Sequence, residues 1–176
     1  ALLDTCVLWP SLQRDFLLSL AIEGLYRPIW SAAILEELHE HEAIKLQKRY
    51  LLTTLAAQQR ADRLIEQMTS SFDDAIIEGG EPLEGTYGLP DVNEEHGVAA
   101  AVMGGAGVIV TSNRTDFPSH KVPPSLKVQS PAEFALDTVS VDPPRAGVAL
   151  MEIVNRSGRN GRPPRTLDAV LDARDE

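Results

Sequence analysis

A short run of β-branched residues, Val108 to Val110, constrains the fold of this chain more than any other feature. Every residue in the run is apolar, which is the pattern of a strand covered on both faces, as in a parallel sheet. An alanine-rich helical stretch precedes it and ends at Gly104-Gly105, since glycine tolerates the left-handed conformation that terminates helices. A helix followed at once by a buried strand predicts an α/β domain whose ligands bind past the strand's carboxyl end.

Further strand and helix patterns alternate along the chain. The other predicted strands are residues 1–3 with a continuation at Val7-Leu8, and the segments 27–30, 75–77 and 126–128. Helices are predicted from Ser11 to Gly24, and after Ser31 with a continuation over 42–69 in two pieces. We predict a domain over residues 1–130 with a central, mostly parallel sheet, and a small helical C-terminal extension over 131–176.

Charge and cysteine content narrow the classes of function. The 176 residues include 16 Lys and Arg against 26 Asp and Glu, which gives a net charge of −10. This balance argues against a general nucleic-acid coat, but not against an enzyme that grips nucleic acid locally. One cysteine excludes an intrachain disulfide and fits a reducing compartment, and no apolar run has membrane-spanning length. We therefore expect a soluble cytoplasmic protein that does not interact with a membrane.

Acidic residues are predicted to converge at one edge of the sheet. Asp4 follows the first strand, Asp91 and Glu94 stand at a helix start, and Asp116 follows the strand 108–110. Glu37 borders the apolar stripe of the second helix, so it can reach the same cleft. Crowded carboxylates repel one another unless a cation neutralises them, and all-oxygen sites suit Mg²⁺ or Mn²⁺. Such ions promote phosphodiester cleavage by activating water.

Structural roles compete with this interpretation. Asp91 and Glu94 have the spacing of a capping box, and Asp116-Phe117-Pro118 has the composition of a plain turn. Glu95 is expected to face solvent. The charged residues Lys45, Lys48, Arg49, Arg60 and Arg63, and the run His39-Glu40-His41, are expected to be solvated helix surface.

Four motifs in order resemble the PIN-domain nucleases. They are Leu3-Asp4-Thr5-Cys6-Val7-Leu8, Trp30-Ser31 through Glu37-Leu38, Pro90-Asp91-x-Asn93-Glu94-x-His96, and Thr111-x-Asn113-x-x-Asp116-Phe117-Pro118. The chain is most similar to the VapC-type toxins that carry a C-terminal extension. The resemblance implies an α/β/α sandwich that cuts RNA, including structured RNA such as tRNA, with Mg²⁺ or Mn²⁺. It also implies a homodimer and a cognate antitoxin protein.

The resemblance also implies roles for particular residues. Asp4, Glu37, Asp116 and either Asp91 or Glu94 would be the catalytic, metal-holding carboxylates. The supporting polar residues would be Thr5, Ser31, Thr111 and Asn113. Two positions depart from the family pattern: Cys6 stands where Asn is usual, and Glu94 where Asp is usual.

Parts of the sequence fit two other functions and one further binding segment. A catalytically degenerate PIN-like module would bind RNA or a protein without cutting it. Phosphoryl transfer through Asp4 would require a second Asp at the position of Cys6. A segment rich in Gly, Pro and Arg could clamp RNA phosphates or serve as a solvated linker; its arginines are Arg156, Arg159, Arg162 and Arg165.

Overall fold

A three-stranded parallel sheet forms the centre of the fold. The computed structural model of the chain describes residues 1–158 and 164–171. The strands β1 (Leu2–Leu3), β2 (Val108–Val110) and β3 (Lys127–Gln129) lie in the order β1-β2-β3. Their carboxyl ends therefore meet at one edge of the sheet, as the sequence predicted for a parallel α/β fold.

Two more predicted strands are present only as single parallel bridges beside β1. Leu2 pairs with Ile29, and Trp30 pairs with Ile76. The backbone hydrogen bonds continue across these bridges, with the Ile29 amide donating to Ala1 at 2.8 Å and the Trp30 amide to Ala75 at 3.0 Å. The segments 27–30 and 75–77 thus widen the sheet on the β1 side without forming long strands.

The predicted continuation of the first strand through Val7 and Leu8 is wrong. Residues Thr5–Leu8 form a one-turn helix, α1, because the Asp4 carbonyl accepts from the Val7 amide at 2.9 Å and from the Leu8 amide at 3.2 Å. Val7 and Leu8 are fully buried. Their apolar character therefore reflects core packing from a helix, which a run of two residues cannot distinguish from a strand.

Helices surround the sheet. The longer helices are α2 Ser11–Ile22, α3 Ala32–Tyr50, α4 Thr54–Ser71, α5 Glu95–Met103, α6 Pro131–Val141 and α7 Pro143–Ser157. A short helix, α8, spans Leu167–Leu171. Two 3₁₀ turns, Glu81–Leu83 and Val92–Glu94, lie in the segment before α5. None of the described helices is long and apolar enough to cross a membrane.

Local sequence signals account for several helix ends. The Ser31 hydroxyl accepts from the Ile34 amide at 3.2 Å, and Ser130 forms a capping box with Glu133. The predicted break within 42–69 is confirmed: α3 stops at Leu51, whose φ of 52° is left-handed, and Thr53 caps α4.

The C-terminal helices pack onto the same hydrophobic core as the sheet. Phe134 of α6 and Ala146 and Ala149 of α7 belong to one buried cluster with Leu2 and Ile109. Helix α7 lies along α2. The division of the chain at residue 130 stays a prediction.

Candidate active site

Asp4 lies at the junction of β1 and β2, past the ends of both strands. Its amide donates to the carbonyl of Val110 at 3.1 Å, so parallel pairing places the next residue of β2, Thr111, beside it. The Thr111 hydroxyl donates to Asp4 Oδ2 at 2.6 Å, and the Cys6 thiol donates to the same oxygen at 3.0 Å. Among the described residues, no hydrogen bond reaches Oδ1. Asp4 is only 6% exposed, so its carboxylate is fixed in orientation with one oxygen available to a ligand.

Cys6 supports Asp4 as a thiol. Burial and the neighbouring Asp4 carboxylate raise the pKa of Cys6 to about 11, so the sulfur keeps its proton at neutral pH. It can therefore donate to Asp4 even though it replaces the amide that the family pattern carries at this position.

Glu37 enters the site from the first part of α3 and is held by two partners. The Thr5 hydroxyl donates to Glu37 Oε2 at 2.6 Å, and His96 Nε2 lies 3.6 Å from Oε1. His96 is itself held through Nδ1 by the Ser31 hydroxyl at 2.9 Å. The neighbouring His96 lowers the pKa of Glu37 against the effect of burial, so Glu37 is a carboxylate at neutral pH.

Glu94 shows that the acidic residues are close together. Burial, and then the negative charges of Asp4, Glu37 and Asp116, raise its pKa from 4.5 to about 7, with His96 opposing them. Glu94 comes from the 3₁₀ turn before α5, and Asp116 from the loop after β2, where its amide donates to Asn113 at 3.0 Å. Acids from four separate segments of the chain therefore share one electrostatic environment.

Asp91 and Glu95 have structural roles instead. Asp91 is exposed, and its Oδ1 accepts from the Asn93 amide at 2.9 Å, which caps the 3₁₀ turn. Of the two acids that the sequence left open, the structure brings Glu94 into the cluster and leaves Asp91 outside it. The prediction that Glu95 faces solvent is wrong: it is buried and accepts from the Leu89 amide at 3.0 Å and the Tyr87 amide at 3.2 Å.

A cleft of about 550 Å³ opens over these residues. Its acidic floor includes Asp4, Glu37 and Glu94, with Thr5 and Asn113 beside them. The rest of its wall consists of aromatic, apolar and basic side chains, namely Trp9, His41, Ile44, Lys45, Lys48 and Arg49. The cleft thus joins an acidic half to a basic half.

Sequence reasoning missed the functional potential of this wall. Glu37, His41, Lys45 and Lys48 follow one another at intervals of three or four residues, which places them on one face of α3. This spacing from Glu37 was a signal in the sequence that Lys45 and Lys48 lie on the same face as a candidate site residue. The prediction instead assigned both lysines to the solvated surface of a long helix.

The two arginines of the segment that the structure describes, Arg156 and Arg165, do not line this cleft. Arg156 Nη2 donates to Asp15 Oδ1 at 2.9 Å and to Ser19 Oγ at 2.8 Å, which ties α7 to α2. The Arg165 amide donates to Ser157 Oγ at 2.7 Å, and Arg159 and Arg162 lie outside the described residues. A role of this segment in RNA binding stays a prediction.

The donor set fits a hard divalent cation by its chemistry. The clustered groups are carboxylates, and one of them, Glu94, is forced towards its protonated form by its neighbours, a cost that a cation would remove. Within residues 1–158 and 164–171, no three His, Cys, Asp or Glu side chains are already arranged as a metal site. Mg²⁺ sites commonly use one or two carboxylates with waters and substrate phosphate, so a complete protein shell is not required.

The sheet and its acidic edge define an α/β domain with a candidate hydrolytic site. The family model described as PIN domain matches residues 1–115, and the chain belongs to this family. PIN domains are generally metal-dependent nucleases that use divalent metals, so this chain has a nuclease fold. The matched region contains Asp4, Glu37 and Glu94 and ends one residue before Asp116. Comparison with curated proteins and with solved structures finds no significant match.

Proposed function

We propose that this protein is an endoribonuclease that depends on Mg²⁺ or Mn²⁺, with Asp4, Glu37, Glu94 and Asp116 as its acidic site. The observation that carries the proposal is the convergence of four acids from separate segments of the chain. The pKa of Glu94 reflects this convergence: burial raises it first, and the negative charges of Asp4, Glu37 and Asp116 raise it further, to about 7. Carboxyl groups perturbed by burial together with nearby like charges cluster at functional sites.

The supporting residues hold the acids in a fixed arrangement. Thr111 and Cys6 orient Asp4, while Thr5 and His96 orient Glu37. Glu94 would ionise fully once a cation is bound beside it. The cation would supply the positive charge that activates water and stabilises the leaving oxygen of the phosphodiester.

The biological role that we propose is that of a VapC-type toxin of a type II toxin–antitoxin pair. Its support is the resemblance of four spaced motifs to those toxins, together with membership of the PIN family. On this proposal the protein acts in the cytoplasm as a homodimer, cleaves structured RNA such as tRNA, and is silenced by a cognate antitoxin. Induced expression without the antitoxin should stop growth, and the Asp4→Asn variant should not.

A cleavage assay tests the enzymatic proposal. The purified protein should cut end-labelled RNA with Mn²⁺ or Mg²⁺ and stop when EDTA is added. Asp4→Asn and Asp116→Asn should each lower the rate by about 100-fold or more, since even outer residues of metal sites cost 10–100-fold. Glu36→Gln is the matched control, because Glu36 is exposed on α3 and does not line this cleft.

Two outcomes would contradict the proposal. Cleavage that survives in EDTA would remove the cation from the mechanism. Binding of RNA without cleavage when Mn²⁺ is supplied would favour the degenerate module instead.

A further inference from the structure

One face of α3 lines the cleft from its acidic floor to its basic end. Glu37 belongs to the acidic cluster, His41 and Lys45 follow at the next turns, and Lys48 lies near the end of the helix. Lys48 is exposed to solvent and still lines the cleft. The protein as a whole has a net charge of −10, which repels an anionic ligand. The Lys48 ammonium group in this position attracts such a ligand locally.

Trp9 forms the other part of the wall. It stands directly after α1, and its amide donates to the carbonyl of Thr5 at 2.8 Å. The indole is 42% exposed although it is among the largest apolar side chains of the protein. The Trp9 side chain therefore lines the cleft from a backbone that is hydrogen-bonded to Thr5, a residue beside the acidic floor.

Two contacts fix the orientation of the Trp9 ring. The His41 ring meets it edge-on, with centroids 6.1 Å apart, and Lys45 Nζ lies 5.8 Å from its centroid. Lys45 is in turn held by Ser11 Oγ at 2.9 Å and by Glu42 Oε2 at 2.5 Å. An exposed ring that is already oriented loses little conformational entropy when a ligand stacks on it.

We propose that Trp9 is a stacking platform for one unpaired base of the RNA, and that Lys48 contacts a phosphate of the same strand. The inference rests on the proposed function only in taking RNA as the ligand of the cleft. An aromatic side chain beside a basic one is the combination that binds single-stranded nucleic acid. A base inside a duplex has no open face for the indole, so the nucleotide at Trp9 must be unpaired.

Trp9 lies close to the acidic floor. It comes five positions after Asp4 in the chain, and both side chains line the same cleft. The base on Trp9 therefore belongs to a nucleotide near the phosphate at the carboxylates.

Tryptophan fluorescence measures this contact directly. The chain has two tryptophans, and Trp30 is fully buried, so quenching by an added ligand reports on Trp9. The protein in EDTA and low salt is titrated with a single-stranded RNA 12-mer. The 12-mer should quench part of the emission, and the same strand annealed to its complement should not. Quenching that is absent with the single strand, or equal with the duplex, would overturn the stacking.

Substitutions separate stacking from folding. Trp9→Ala should raise the Kd for the 12-mer by about fivefold or more, and Trp9→Phe should recover most of the affinity while removing the quenching. Leu136→Ala is the control, since Leu136 is 69% exposed on α6 and does not line the cleft. Circular dichroism verifies that each variant is folded. An unchanged Kd in a folded Trp9→Ala variant would refute the platform.

Salt dependence tests Lys48. Lys48→Ala should reduce the slope of log K against log salt concentration by about 0.7, the value for one phosphate contact on a single strand. Arg60→Ala on α4 removes the same charge from an exposed residue outside the cleft and should leave the slope unchanged. Equal slopes for the Lys48→Ala variant and the wild type would refute the phosphate contact.

The inference and the proposed function can fail separately. If the wild type cuts RNA with Mn²⁺ but the Trp9→Ala variant binds and cuts as the wild type does, only the inference is wrong. If the wild type binds the 12-mer with quenching and never cuts it, the inference stands as RNA binding and the nuclease proposal falls.

Discussion

Replacing Glu94 with glutamine should stabilise the protein at neutral and alkaline pH when no divalent cation is present. A pKa raised from 4.5 to about 7 means that burial first, and then the neighbouring negative charges, disfavour the ionised form by about 3 kcal/mol if the effect is unscreened. Because Glu94 is only partly buried, we halve this to about 1.5 kcal/mol to allow for solvent screening. For a chain of this length, that gain raises Tm by about 3–6 °C.

The effect has a defined dependence on pH. Between about pH 4.5 and pH 7 the folded protein keeps a proton on Glu94 that the unfolded chain has released. The free energy of unfolding therefore falls as pH rises through this window, and glutamine abolishes that fall. The advantage of Glu94→Gln should be small at pH 5 and complete at pH 8.

Thermal unfolding in EDTA at pH 5 and pH 8 measures this difference. Glu36→Gln is the matched control, because it removes one exposed carboxylate from outside the cluster. Adding Mn²⁺ at pH 8 should raise the Tm of the wild type more than that of the Glu94→Gln variant. If the variant is no more stable than the wild type at pH 8, burial and the neighbouring acids do not disfavour the charge of Glu94, and the reasoning is refuted.

Two further substitutions test how the site is supported. Gly104→Ala should lower the free energy of unfolding by about 1–3 kcal/mol, because its Cβ would lie 2.6 Å from Ile29 Cδ1. Thermal unfolding measures this loss. Gly107→Ala is the control, because the space around Gly107 is open. Glu95→Gln should expose the segment before α5 to limited proteolysis, because it weakens the bond from the Tyr87 amide. Burial opposes the ionisation of Glu95, but backbone N–H donors lower its pKa overall. The stability that ionised Glu95 contributes is therefore present above pH 4.5 and lost as pH falls. A proteolysis rate of the Glu95→Gln variant equal to that of the wild type would contradict this role of Glu95.

The sheet could be predicted from sequence because its strands are short, apolar and separated by helices. Val108 to Val110 forms β2 as predicted, and β3 begins one residue later than expected. The first strand was predicted too long, since apolar residues in α1 bury their side chains in the same core. Periodicity identifies burial, but over two or three residues it does not determine the backbone conformation.

The acidic cluster could be predicted in part. Parallel strands bring the residues after β1 and β2 to the same edge, which accounts for Asp4 and Asp116. Choosing between Asp91 and Glu94 required knowledge of the 3₁₀ turn before α5. In that turn the Asp91 carboxylate accepts from the Asn93 amide, whereas Glu94 lines the cleft. Trp9 was not predicted as a site residue because its exposure depends on where α1 ends.

The most direct test of the central claim is to locate a bound cation. Crystals soaked in Mn²⁺ should give an anomalous peak bounded by the carboxylates of Asp4, Glu94 and Asp116, and the peak should be lost in the Asp116→Asn variant. A peak held by Asp91 alone, or no peak near these carboxylates at saturating Mn²⁺, would contradict the account.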